Sequence, residues 1–310
     1  MNCVVSVIVP NYCHSKYLDE RIQSILNQTY QDFELIILDD CSPDNGASKE
    51  IIERYRSNPH VSHIVYNEVN SGSPFKQWRR GLELAKGEYV WIAESDDSCK
   101  PTMLITLLRA CVETKAVLAF CKSICFKETE KIQYINSLQK SFNNDFTLSG
   151  FDFIRLHLSE GCRIMNASSV IFRREIAMDI NRQYEEMKAS GDWLFWIEMA
   201  ERGKVCYVNN ELNYFRRLES CVTWKNSKSG NADKEYLKIV NYLIEKKLIS
   251  YQKEFKIRIK RIYIIFRKDY EVETAKSELF KLWDRYMIYR LLLPFYIFYR
   301  ILNKIRELYI

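Results

Sequence analysis

Three apolar runs in the first hundred residues each stop at polar punctuation. Residues 4–9 run into Pro10-Asn11-Tyr12, Ile36-Ile37-Leu38 into Asp39-Asp40-Cys41-Ser42-Pro43-Asp44, and 89–93 into Glu94-Ser95-Asp96-Asp97. A strand buried on both faces reads as such a continuous apolar stretch, and ligands of open α/β sheets bind just past the strands' carboxyl ends. Helical patterns lie between the runs. Leu18, Ile22, Ile25 and Leu26 share one face of a helix predicted over 16–28, with Ser15 as its expected cap. Helices near 48–57 and 75–85 and a strand at 62–66 complete the alternation. The expected fold class is α/β, a mainly parallel sheet with helices on both faces.

Beyond Pro101 the pattern loosens. A helix is expected at 102–114, an apolar strand at 116–126, a polar loop or insertion at 132–144 and a short helix at 150–158. A strand at 164–172, a buried helix at 192–202 and strands at 205–208 and 212–216 follow. The turn-rich stretch 220–230 sets an expected boundary at 228, so 1–228 forms one domain and 229–310 a helical C-terminal region.

Charge separates the same two parts. Residues 251–310 hold 14 Lys/Arg against 7 Asp/Glu, while the preceding 250 carry 32 against 33. A basic tail suits an anionic surface, and a neutral body does not suggest a nucleic-acid groove. Residues 286–310 mix Leu, Ile, Phe and Tyr with Arg290, Arg300, Lys304 and Arg306. The residues between Arg290 and Arg300 cover roughly 14 Å as helix, against a hydrocarbon core of about 30 Å. The tail is therefore expected to lie in a membrane interface with its cations snorkelling, the alternative being a helix packed on the protein's own body or on a second subunit. Ten cysteines without CxxC pairs and an N-terminus without a signal-like segment point to a reduced, cytoplasmic setting.

The polar endings carry the chemistry. Asp39 and Asp40 sit on a binding edge, although Asp is also common in turns. Glu94 and Asp96, two apart on an extended chain, point to one side and suit Mn2+ or Mg2+, which take oxygen ligands from one or two carboxylates plus phosphates. Asn70-Ser71-Gly72-Ser73-Pro74 leads into a helix with Lys76, Arg79 and Arg80, suited to a diphosphate or to a solvated face. In Ser190-Gly191-Asp192-Trp193, Asp192 is a good N-cap and equally a candidate general base. The four histidines form no HExxH, no GxGxxG follows the first strand and no P-loop is present, which disfavours zinc hydrolase, dinucleotide and P-loop chemistry.

Taken in order, Ser6-Val7-Ile8-Val9-Pro10-Asn11-Tyr12, Ser24-Ile25-Leu26-Asn27-Gln28-Thr29-Tyr30, the 33–42 phrase, Asn70-Ser71-Gly72, Ala85-Lys86-Gly87-Glu88-Tyr89-Val90 and Glu94-Ser95-Asp96-Asp97 resemble family 2 glycosyltransferases of the GT-A fold. That resemblance implies a Rossmann-like nucleotide-binding sheet. It also implies inverting transfer of a sugar from a nucleotide sugar, most often UDP-linked, with Mn2+ or Mg2+. Residues 1–100 become the nucleotide-sugar half and 101–228 the acceptor half. On this basis Pro10, Tyr12, Asp40, Asn70, Gly72, Lys76, Glu94, Ser95 and Asp96 bind the donor. Tyr12 stacks on the base, Asp40 hydrogen-bonds it and Asp96 holds the metal. Glu94 stands where the family's DXD motif usually has Asp. Asp192 matches the family's general base, with Gly191 in place of the Glu that usually precedes it. Leu218 stands near the place of a His in many members, which leaves Arg216 or Arg217 for the diphosphate. Arg163, Asn166 and Trp193 are assigned to the acceptor side. The expected setting is surface-glycan assembly on a glycan or lipid-linked acceptor, peripheral to the inner face of the plasma membrane. A nucleotidyltransferase and a non-catalytic nucleotide-sugar-binding scaffold are the competing readings; the first normally opens with a Gly-rich loop absent here.

Overall fold

The computed structural model describes residues 4–127, 132–218, 227–272, 274–284 and 287–308, with side chains as far as residue 303. The chain falls into two compact units, residues 1–219 and 220–310. The boundary expected at 228 falls in a stretch of which 220–226 lies outside the described residues.

The first unit begins with the expected alternation: β1 (Val5–Asn11), α1 (Ser15–Leu26), β2 (Phe33–Asp39), α2 (Ala47–Glu53), β3 (Val61–Tyr66), α3 (Pro74–Leu84) and β4 (Tyr89–Ile92). β1 pairs in parallel with β2 and β4, and β2 with β3, giving the order β3-β2-β1-β4. Every residue of β1, β2 and β4 is buried, as their uninterrupted apolar runs require. Pro10 pairs with Leu38 and lies beyond the last β4 pair, Ile8 with Ile92, so its missing N–H breaks no ladder. Ser15 is the first residue of α1 rather than its cap; His14 holds the cap position and makes no side-chain cap bond.

The sheet then changes character. β9 (Val170–Arg173) runs antiparallel between β4 and β6 (Ala116–Lys127). β10 (Lys204–Arg216) runs parallel to β6, and β5 (Ser98–Cys99) closes the order as a short antiparallel partner of β10. Where two strands were expected at 205–216, one long strand runs through, with irregular register near Glu211. The polar stretch expected as a loop at 132–144 carries β7 (Ile132–Ile135), paired to β6, and the short helix α5 (Ser137–Lys140). β8 (Phe146–Leu148), α6 (Gly150–Phe153), α7 (Arg174–Asp179), α4 (Met103–Thr114) and α8 (Gly191–Ala200) complete the unit.

The second unit is helical: α9 (Asn231–Glu245), α10 (Tyr251–Arg267), α11 (Ala275–Trp283) and α12 (Ile288–Leu308). Val240, Ile257, Ile262, Ile265, Leu279 and Trp283 form its core. Buried Asp233 is held by Arg261, Lys268 (2.9 Å) and the Tyr270 hydroxyl (3.0 Å). No described helix is long and apolar enough to cross a membrane.

Candidate functional site

The two aspartates at the end of β2 divide the work. Asp39 is spent on its own turn: its Oδ1 accepts from Asn11 Nδ2 (2.7 Å) and Ser42 Oγ (2.7 Å), and its Oδ2 from the Ser42 amide (3.0 Å). Asp40 reaches the other way. It accepts from Asn67 Nδ2 (2.7 Å), the Ser71 amide (2.9 Å), Ser71 Oγ (2.7 Å) and Gln77 Nε2 (2.9 Å). A buried carboxylate needs such donors, and these four fix the loop before α3 against the sheet edge. Asn70 continues the network, donating to the Asp40 carbonyl (3.0 Å) and accepting from the Gly72 amide (2.8 Å). Gly72 has a φ of +76°, where a side chain is strained, and Lys76 Nζ donates to the Ser71 carbonyl (3.0 Å). Tyr12, at the end of β1, is 46% exposed on the same edge.

The acidic turn after β4 is the second element. Glu94 Oε1 accepts from the Trp78 indole (2.9 Å), and Ser95 Oγ is 2.9 Å from His14 Nδ1. Asp97 is buried and accepts from Asn166 Nδ2 (2.5 Å), Ser168 Oγ (2.6 Å) and the Arg216 amide (2.9 Å). The carboxylate of Asp96 accepts no hydrogen bond from another described residue, and the His14 ring lies 3.9 Å away. The two carboxylates expected to act together thus differ: Glu94 is tied to α3, and Asp96 is left open.

Electrostatics follow from this crowding. Burial, then repulsion from Asp96 and Asp97, pushes the Glu94 carboxyl up to about 8. Burial, then Asp96, raises Asp97 to about 7, and burial raises Asp96. Burial lowers His14, favouring the neutral ring. The opposing charge is Arg21, on the inward face of α1. It is 0% exposed, stacks on Trp91 at 4.8 Å, and its three guanidinium nitrogens have no hydrogen-bond partner among the described residues. Its positive field pulls down all three carboxyls of the turn. Sequence reasoning missed Arg21, His14 and the central place of Asp97. Arg21 was detectable, because it falls between Leu18 and Ile22 on the apolar stripe of α1.

Asp192 is the second residue of α8, close to the half-buried Cys162, whose thiol is held well above its ordinary range by desolvation and by the Asp192 charge. The helix N-terminus favours a carboxylate there. Ser73 Oγ donates to the Met187 carbonyl (3.1 Å), and Trp78 packs edge-on against Phe195 of α8 (5.6 Å) while donating to Glu94. α3 therefore joins the start of α8 to the acidic turn. Gly191 leaves no room for a side chain: a Cβ would lie 2.5 Å from the Phe75 ring and 2.6 Å from the Tyr184 carbonyl.

The acceptor-side assignments fare differently. Asn166 is buried and committed at both ends, to Asp97 through Nδ2 and to Ser123 (3.1 Å) and Asn213 (3.0 Å) through Oδ1, so it braces the turn from below. Trp193 is buried and donates to the Leu158 carbonyl (2.8 Å). Arg163 donates to the Leu138 carbonyl (3.2 Å). Arg216 is pinned by the Asp96 carbonyl (2.9 Å), Glu20 (2.7 Å) and the Tyr17 ring (4.4 Å), which leaves Arg217 as the exposed cation of that pair.

Residues 6–180, more than half the chain, match the Glycosyl transferase family 2 profile. The chain belongs to that family. Among relatives of this family 2 glycosyltransferase, the putative teichuronic acid biosynthesis glycosyltransferase TuaG of Bacillus subtilis is 27% identical over 230 residues, covering 73% of this chain and 84% of TuaG. Glycosyltransferase GlyG of Streptococcus pneumoniae is 39% identical over 116 residues, covering 37% of this chain and 38% of GlyG. The fold is shared with Staphylococcus aureus TarS in complex with UDP-GlcNAc, at a TM-score of 0.57 and 19% identity, over 92% of this chain and 72% of that one. The mannosyltransferase PcManGT of Pyrobaculum calidifontis, in complex with GDP-Man and Mn2+, superposes at a TM-score of 0.51 and 14% identity, over 94% and 72% of the two chains.

Proposed function

We propose that the protein transfers one sugar, with inversion, from a UDP-linked donor to a glycan or lipid-linked acceptor in surface-polysaccharide assembly. The observation that carries this reading is the open Asp96 carboxylate, set in a turn whose other acids are tied down, at the edge that also presents Tyr12 and the Asp40-braced loop. Membership of family 2 supports sugar transfer, and the fold relatives bound to UDP-GlcNAc and GDP-Man support a nucleotide-sugar donor. TuaG, by its name, supports the setting.

The donor set suits Mn2+ or Mg2+. No group of three metal-ligating side chains exists among the described residues, but these ions commonly take one or two carboxylates with the rest from phosphate and water. Asp96 supplies an open carboxylate and Glu94 its second oxygen. When bound, the ion neutralises charge developing on the departing diphosphate. The protein's own residues do the rest. Tyr12 offers a face for the base, and Asp40 holds the 67–73 loop against it. Gly72 and Lys76 border the diphosphate. Asp192 takes the proton of the attacking acceptor hydroxyl from the side opposite the leaving group. Residues 1–228 constitute the catalytic domain, and the basic region 229–310 places it at an anionic membrane surface on the cytoplasmic side.

Asp192→Asn tests the assignment. Turnover of UDP-sugar should fall on the order of a thousandfold while UDP affinity stays within a few-fold. Undiminished turnover removes Asp192 from its role. Asp96→Ala should abolish the Mn2+-dependent part of UDP binding; metal-independent binding and turnover in the wild type would refute the metal assignment.

A further inference from the structure

We infer that Trp78 is a positioning residue for sugar transfer: its indole N–H holds one oxygen of Glu94 and leaves the other for a divalent cation. The inference rests on the metal reading above and names the residue that prepares the site for it. Trp78 lies on α3, is 2% exposed, and donates from Nε1 to Glu94 Oε1 at 2.9 Å. Its ring packs against Phe75 at 5.1 Å, Phe195 at 5.6 Å and Trp196 at 6.0 Å, so the direction of the N–H is set by the core. Glu94 is thereby held at both ends. Its amide donates to Ser168 Oγ at 3.1 Å, its Oε1 takes the indole proton, and its Oε2 accepts no hydrogen bond from a described residue.

A purely structural indole would not need this partner. A buried Trp N–H requires an acceptor, and a backbone carbonyl serves. Trp91 donates to the carbonyl of Ser168 (2.8 Å), Trp193 to that of Leu158 (2.8 Å) and Trp283 to that of Asp233 (3.3 Å). Trp78 instead donates to a carboxylate two residues from Asp96. To an ionised carboxylate such a bond is roughly twice as strong as a neutral one. A loose Glu side chain would have to be arrested when a cation binds; here that loss of freedom is taken when the chain folds. A donor placed directly behind a metal ligand orients it in the same way that second partners orient ligating side chains in metal sites generally. The length of the arm fits as well, because an Asp at position 94 would hold its carboxylate one methylene short of the indole.

The test is calorimetric binding of UDP to the full chain in EDTA and across a Mn2+ series, which needs no turnover. Trp78→Phe keeps an aromatic ring and loses the N–H. It should reduce the Mn2+-linked gain in UDP affinity about tenfold and leave affinity in EDTA within about threefold of the wild type. In a Glu94→Ala background the same change should cost less than about twofold, because the bond is already gone. In turnover, the Mn2+ concentration for half-activation should rise about tenfold while kcat at saturating Mn2+ stays within about threefold. A Mn2+-linked gain equal to that of the wild type, losses that multiply in the double variant, or a kcat that saturating Mn2+ does not restore overturns the inference. If Trp78→Phe does not melt cooperatively, the indole N–H resonances of the wild type decide. The one that Glu94→Gln displaces should also move when Mg2+ and UDP are added, and a stationary resonance overturns the inference. A wild type whose UDP affinity ignores Mn2+ removes the metal reading itself; a Mn2+-linked gain shared equally by wild type and Trp78→Phe removes only the role of Trp78.

Discussion

Glu94→Gln isolates the electrostatic strain of the acidic turn. The amide oxygen of Gln still accepts the Trp78 indole proton, so shape and hydrogen bond persist while the charge is lost. In the folded protein the Glu94 carboxyl rises from 4.5 to about 8, first through burial and then through Asp96 and Asp97. A folded-state pKa above the unfolded one means that folding retains a proton the open chain releases. The stabilisation is therefore complete below about pH 4.5 and lost as pH climbs through 8. At about 1.4 kcal/mol per unit, the ceiling is about 4–5 kcal/mol. Because Asp96 and Asp97 share the repulsion, one substitution should recover about 2–3 kcal/mol. Urea unfolding in EDTA, followed by tryptophan fluorescence from pH 5 to 8, measures this directly. The variant should match the wild type within about 0.5 kcal/mol at pH 5 and exceed it by about 2–3 kcal/mol at pH 8. Stability differences that do not change with pH would refute the reasoning.

Arg21→Met should make the stability curves cross. At pH 5 the variant should be at least as stable as the wild type, having lost an unpaired buried cation, and at pH 8 about 1–3 kcal/mol less stable, having left the carboxylates without their countercharge; the same urea series checks both limits. Gly191→Ala should cost about 1–3 kcal/mol through the clash with Phe75 and the Tyr184 carbonyl and, by shifting Asp192, lower kcat with little change in KM for the donor, as read from calorimetry and initial rates. Asp40→Ala should cost about 1–3 kcal/mol, because it strands the buried donor of Gln77 and the half-buried donors of Asn67 and Ser71, and proteolysis should then cut within 67–73.

The parallel half of the sheet was legible because its strands are buried on both faces and thus spelled as unbroken apolar runs; β1, β2 and β4 appear near where those runs lie. β5, β7 and β8 were not, since two to four residues on a sheet margin carry too little hydrophobic pattern to register. The lone β10 was read as two strands because Asn209, Asn210 and Glu211 interrupt it where its register slips. At the site, residue types revealed where carboxylates gather but not how they divide their labour. Asp39, Asp40, Asp96 and Asp97 look alike in a string. The roles of Asp39, Asp40 and Asp97 are set by donors such as Asn11, Ser71, Asn166 and Arg216, 28 to 119 positions away. Nor does anything local to Asn166, assigned to the acceptor side, announce its bond to Asp97. Arg21 was passed over because arginine normally marks a solvent face, and only its position in the 18–22–25 stripe argued otherwise.

Asp97 gathers bonds from residues 166, 168 and 216, so the acidic turn is shaped by chain that is synthesised long after it. A ribosome that has released only the first hundred and sixty residues has made the whole acidic turn, yet that turn lacks its buttress. Competence to hold an activated sugar should therefore arrive late, in one step, when the closing strand slots home, and early-terminated products should be inert rather than partly active.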